Sequence, residues 1–192
     1  MWNPQQKLTL ARIVHHRRQF EGWWKFAVAT SLWELADRKG LYVCVEALRR
    51  ADVVLAHCSD DLSIDTTRSP CVPIELKTMG TFWGSRPSDI ARAYSEARKK
   101  PLETDMMAAA QGLRREAKPF AAVALLVTHK GDLKEDRVFL DYLQYPRDLA
   151  TRHALENVLD EEIPLPQEGS TKGAFAHQFL WVSKRAGAID PT

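Results

Sequence analysis

The segment Cys71–Thr78 constrains this chain more than any other, because it sets Glu75 and Lys77 between Ile74 and Leu76. Residues two apart in a strand share a face. A strand here therefore carries an acid and a base on one side and two large aliphatic side chains on the other. Upstream, Asp52–Cys58 has the same character: Asp52 falls with Val54, opposite Val53 and Leu55. The twelve residues between the two runs, Ser59–Pro70, are mostly polar and read as a hairpin loop.

With the loop midpoint near Asp65, opposed residues have numbers adding to about 129. Asp52 then sits beside Lys77, Val54 beside Glu75, and Cys58 opposite Cys71. An odd total gathers Asp52, Glu75 and Lys77 on one face and Val53, Leu55, Ile74 and Leu76 on the other. A slip by one residue mixes the two sets. Two carboxylates and an ammonium on a half-buried face are costly to desolvate. The plain structural alternative is an ion-paired hairpin with that face in water. The functional reading is a divalent-metal site: Mg²⁺ takes one or two carboxylates, here Asp52 and Glu75, with waters and substrate phosphate completing its shell. Lys77 then assists the attacking water.

The remaining pattern predicts an α/β fold. Asn3-Pro4 opens a helix over 4–20, and a second runs over 22–39 with Gly40 as its C-terminal cap. Strands follow over 41–46, 52–58 and 71–78. Ser85 opens a helix to about Lys100, Pro101 interrupts it, and another helix covers 104–118. The run 120–128 is a buried strand. Arg147–Asp160 reads as helix, 163–173 as loop and 175–183 as a late strand. Short connections pair strands antiparallel, and the long helical crossover permits a parallel neighbour.

A length of 192 residues fits a single domain. With 45% hydrophobic and 27% charged residues, the composition excludes a disordered chain or a disulfide scaffold. The longest apolar run, Phe120–Val127, is too short to span a bilayer, so no membrane partner is expected. Met1–Lys7 carries no secretory hydrophobic region, and Cys44, Cys58 and Cys71 have no metal-ligand spacing. Reduced thiols in the cytoplasm are expected. The net charge of +2 is too balanced to indicate nucleic acid by itself. Residues 1–100, with 16 basic and 11 acidic side chains, are the better source of a phosphate-binding surface.

Asp52 and Glu75-Leu76-Lys77, with a helix before and a helix and strand after, resemble the PD-(D/E)xK nuclease superfamily, the restriction-endonuclease-like fold. The resemblance covers about residues 22–128. It implies an αβββαβ core with a mixed sheet flanked by helices, elaborated by 4–20 and 129–192 within one domain over 1–192. It also implies Mg²⁺-dependent phosphodiester hydrolysis, with Mn²⁺ as a substitute, usually of DNA. Many relatives act as dimers or in larger assemblies. Ala51 stands where the motif's name puts proline.

Such families often add a glutamate from the preceding helix, and Glu34 is the candidate. That helix is apolar nearly all round, which predicts burial, and Glu34 shares a stripe with Trp23, Ala27 and Thr30. An ion pair with Arg38 competes with this role, and Glu46 is the runner-up. Asp60, Asp61 and Asp65 could replace Asp52 but read better as turn formers. Trp83 could stack on a base and Arg86 hold a phosphate; covering the core edge and lying on a solvated loop are the alternatives. Gln111 is a candidate for support near the site, although Arg115 stands where some relatives have tyrosine. The basic clusters 15–18 and 92–100 could touch phosphates. Asp105 reads as a helix-start acid favoured by the dipole. His57, His129, His153 and His177 show no interpretable spacing. The alternative of a different class is a non-catalytic nucleic-acid- or protein-binding module on the same fold.

Overall fold

The computed structural model describes residues 2–16, 21–45, 51–59, 63–65, 68, 71–80, 99–116, 122–130, 137–167 and 174–183. In chain order they form α1 (Pro4–His15), α2 (Glu21–Asp37), β1 (Tyr42–Val45), β2 (Val53–Cys58), β3 (Ile64–Asp65) and β4 (Cys71–Gly80). Then come α3 (Lys99–Glu116), β5 (Ala122–Lys130), α4 (Arg137–Arg152), β6 (Leu155–Pro164) and β7 (Ala174–Ser183). The strands make a mixed seven-stranded sheet in the order β1-β2-β4-β5-β7-β6, with β3 attached to β2. Only β4 and β5 run parallel among the described pairs.

Local chemistry sets the helix ends. The Asn3 side chain accepts from Gln6 N at 2.8 Å, and Gln6 Oε1 accepts from Asn3 N at 3.0 Å, a reciprocal cap followed by Pro4. After α2, Gly40 takes φ +63°, Leu41 N bonds Ala36 O and Gly40 N bonds Asp37 O. This is the double closure that a left-handed residue permits.

Helices cover both faces of the sheet. One core joins Leu10 and Val14 of α1 and Trp24 of α2 to Val53, Ile74, Leu76 and Leu126. The other joins Leu102 and Met106 of α3 and Leu149 of α4 to Val123, Leu125 and Phe179. β5 is buried from Ala122 to Thr128 because both of its faces are covered. Each fully buried leucine or phenylalanine contributes about 2 kcal/mol relative to exposure.

The hairpin keeps the expected parity but not the expected offset. Val53 pairs with Ile74 and Ala56 with Cys71, so opposed numbers add to 127. Cys58 is therefore not opposite Cys71, and Asp52 is not beside Lys77. Cys44, Cys58 and Cys71 are all thiols, with no disulfide among them. The connection is also not a plain loop: Ile64 and Asp65 pair back onto Cys58 and His57, which takes up residues and moves the turn.

Three further expectations need correction. α3 runs through Pro101, which lies in the first turn of the element, where a missing N–H is not needed. α4 begins at Arg137 and continues through Pro146, held by the burial of Leu143, Leu149 and Ala150. Residues 155–164 are strand, not helix followed by loop. Leu155, Leu159 and Ile163 are four apart, a spacing that suits either period. Ala154, at φ +54°, turns the chain out of α4, and a bulge at Val158 sends Leu155 and Ile163 to opposite cores. β6 is an edge strand whose Glu156, Glu161 and Glu162 are exposed, a charged edge that discourages further pairing.

α2 is also less buried than its composition suggests. Phe26, Trp33 and Leu35 are exposed, because the sheet covers only one side of the helix.

Candidate functional site

β4 carries its charges as the alternation requires. Ile74 and Leu76 face the α1/α2 core, while Glu75 and Lys77 share the opposite face with Val123 and Leu125 of the adjoining strand. Lys77 Nζ donates to Glu75 Oε1 at 2.6 Å and lies 3.3 Å from Asp105 Oδ2 of α3. Asp105 shares a helical stripe with the buried Leu102, Met106 and Ala109, which aims it at the sheet. It is thus well inside the helix rather than a dipole residue at its start.

Asp52 sits just before β2, where the ladder with β4 ends. Its Oδ2 accepts from Leu76 N at 2.8 Å, continuing the hydrogen bonding that β2 no longer supplies. Its Oδ1 lies 2.7 Å from Lys25 Nζ of α2. One helical turn earlier, Glu21 Oε2 accepts from Thr78 Oγ1 at 3.2 Å, docking the start of α2 on β4.

The electrostatics follow from this crowding. Burial pushes the Glu75 carboxyl above its usual range; Lys77 opposes that rise, and the charges of Asp52 and Asp105 add to it. Burial works against the Lys77 ammonium, but the hydrogen bond and charge of Glu75, with Asp105 behind them, hold its pKa above the ordinary lysine value. Among the described residues, the ion pairs here join three carboxylates and two ammonium groups, one negative charge in surplus.

Asp52, Glu75 and Lys77 are therefore brought together. Glu34 is not: it is exposed on α2, about 13 Å further along the helix axis than Lys25. Its stripe mates Trp23 and Ala27 are only partly buried. Asp65 lies on β3 and accepts from Arg68 N at 3.3 Å, a turn contact. Glu46, Asp60, Asp61, Trp83, Arg86 and the cluster 92–98 fall outside the described residues, as do 17–20 and the side chain of Gln111.

Sequence reasoning missed Lys25, Glu21 and the role of Asp105. The signal for Asp105 was its place on the Leu102-Met106-Ala109 stripe. Lys25 and Glu21 carried no comparable signal, since α2 is apolar on every side.

Among the described residues no three His, Cys, Asp or Glu side chains form a ready-made metal-binding group. Asp52 and Glu75 offer hard carboxylate oxygens, the donor type that Mg²⁺ takes, and they lie close enough that the charge of Asp52 helps raise the pKa of Glu75. Among the described residues no helix is long and apolar enough to cross a membrane.

The fold and site define an α/β protein with a carboxylate–lysine cluster at the junction of β2, β4 and α3. No protein-family model matches the chain, and no curated protein or solved structure matches it.

Proposed function

We propose that this protein is a Mg²⁺-dependent nuclease that hydrolyses phosphodiester bonds of nucleic acid, with DNA as its substrate class. The observation that carries the reading is Glu75 and Lys77 on one face of β4, with Asp52 fixed beside them on Leu76 N. The element order supports it: a helix, the antiparallel neighbours β1, β2 and β4 with the two-residue β3 set between the last two, a helix, and a strand parallel to β4. That is the order the PD-(D/E)xK resemblance implies over residues 22–128.

In this reading Asp52 and Glu75 hold the cation and Lys77 orients water and offsets charge on the phosphate. Lys25 and Leu76 N keep Asp52 in place. The chemistry that bound Mg²⁺ supplies is Lewis-acid polarisation and a lowered water pKa. The surplus negative charge gives a divalent cation a reason to bind.

One observation favours a second reading. Both Asp52 oxygens already have partners, Lys25 and Leu76 N, as in a structural ion pair. A non-catalytic nucleic-acid- or protein-binding module would look the same.

The test is to incubate single- and double-stranded DNA and RNA with wild type, Lys77→Ala and Glu75→Gln, each with Mg²⁺, Mn²⁺ or chelator. Lys77→Ala is expected to lose cleavage yet keep Mn²⁺, because a protonated lysine has no lone pair for a metal. Glu75→Gln is expected to lose both. Cleavage that survives chelation, or persists in both variants, sinks the reading. No cleavage by wild type and no bound metal favours the binding module.

A further inference from the structure

We propose that Asp105 is a positioning residue for Lys77, the second carboxylate onto which the Lys77 ammonium settles when Glu75 turns to a divalent cation; this rests on the metal-site reading above. Lys77 Nζ lies between two acids from different elements, hydrogen-bonded to Glu75 Oε1 at 2.6 Å and in ion-pair contact with Asp105 Oδ2 at 3.3 Å. An ammonium and a metal compete for the same carboxylate oxygen, because each approaches its lone pairs as a cation. With Glu75 as its sole partner, a Lys77 displaced by the metal would be a half-buried cation with no counter-ion, which is costly. Asp105 removes that cost. It sits on α3, whose Leu102 and Met106 are buried against the sheet, so its carboxylate does not depend on β4 for its position.

The arrangement also fixes where Lys77 goes. Moving from the shorter contact to the longer one keeps its nitrogen next to Glu75, on the face where water and phosphate would be met. Asp105 thus acts through Lys77 and not as a ligand itself. Lys25 does not serve this purpose, because it is engaged with Asp52 on the α2 side.

The experiment is a double-mutant cycle on the full chain, with Mn²⁺ affinity read by calorimetry for wild type, Asp105→Asn, Lys77→Met and the double variant. Loss of one carboxylate weakens a cation through simple charge in either background. The positioning role adds a loss only where Lys77 is present. Asp105→Asn is expected to weaken Mn²⁺ about tenfold with Lys77 in place and less than about threefold in the Lys77→Met background. Asp105→Glu, which keeps the charge and guards against a folding defect, is expected to stay within about threefold of wild type. Equal losses in both backgrounds would make Asp105 a ligand or a plain charge and overturn the proposal, as would no loss at all. A wild type that binds no Mn²⁺ removes the metal-site reading and this proposal with it. Binding by wild type without the coupling removes this proposal alone.

Discussion

Glu75 on β4 and Asp160 on β6 both sit against strong cations, yet their acidities move in opposite directions. Asp160 receives a two-pronged bond from Arg147, Nε to Oδ2 at 2.7 Å and Nη2 to Oδ1 at 2.8 Å, and contacts His177 Nε2 at 2.5 Å. Arg147 also lies over the Phe179 ring, 5.4 Å from its centre, and Phe179 stacks on Trp181. The Arg147 bonds, helped by His177 and opposed by burial, pull the Asp160 carboxyl below its usual range. Glu75 has an ammonium at 2.6 Å and still shifts upward, because burial and two neighbouring carboxylates outweigh it. A fork of donors satisfying one carboxylate is how an ion pair holds a fold together. A carboxylate whose charged form is disfavoured by burial and by neighbouring acids gains, in the proposed function, from a divalent cation brought beside it. The same residue types thus serve structure at one end of the sheet and, in the proposed function, chemistry in its middle.

The sharpest way to break this contrast is activity. Glu75→Gln should lower cleavage by at least about a hundredfold, whereas Asp160→Asn should leave it within a few-fold, both measured on a labelled oligonucleotide at saturating Mg²⁺. Equal losses would erase the distinction between the two clusters.

Stability should sort the same pair in reverse. Asp160→Asn removes charge-assisted bonds and strands Arg147, at a cost of about 2 kcal/mol. For a chain of this size that is a fall in Tm of roughly 4–8 °C. Glu75→Gln removes a carboxylate the fold does not favour in its charged form, so its thermal midpoint at neutral pH should equal or exceed that of wild type. Calorimetric scans of the metal-free proteins decide this.

The pH dependence follows with opposite signs. The folded pKa of Asp160 is depressed from 3.8, so its contribution is complete above that value and lost as pH falls through the folded pKa. The folded pKa of Glu75 is raised from 4.5, so the native state keeps a proton that the unfolded chain releases. Its effect is therefore a loss of stability as pH rises from 4.5 through the folded pKa. Urea unfolding across pH 3–7 should show Asp160→Asn closest to wild type at the acid end. It should show Glu75→Gln gaining on wild type toward neutrality.

Arg147→Lys gives the smallest effect. It keeps the charge but not the planar fork, at a cost of about 1 kcal/mol by urea denaturation and no change in Mn²⁺ affinity.

The β4 alternation carried the most readable information in the chain. Ile74 and Leu76 against Glu75 and Lys77 fixed the strand, its parity and the company of Asp52, because period-two burial leaves no other arrangement. The offset was not readable, since Ile64 and Asp65 fold back onto β2 within a polar segment that carries no strand alternation. Residues 155–164 misled because a spacing of four suits both helix and strand. Glu34 misled because apolar composition was taken for burial, while the sheet covers only one side of α2. Lys25 and Asp105 come to the site from helices on opposite faces of the sheet, a meeting that only the fold creates.

The most direct measurement is diffraction from crystals soaked in Mn²⁺, read by anomalous scattering. One strong peak is expected about 2.1–2.3 Å from carboxylate oxygens of both Asp52 and Glu75, with Lys77 outside the metal's ligand shell. No peak there, with the Lys25–Asp52 and Lys77–Glu75 contacts intact at saturating metal, would contradict the metal-site reading and leave the cluster as a structural ion network.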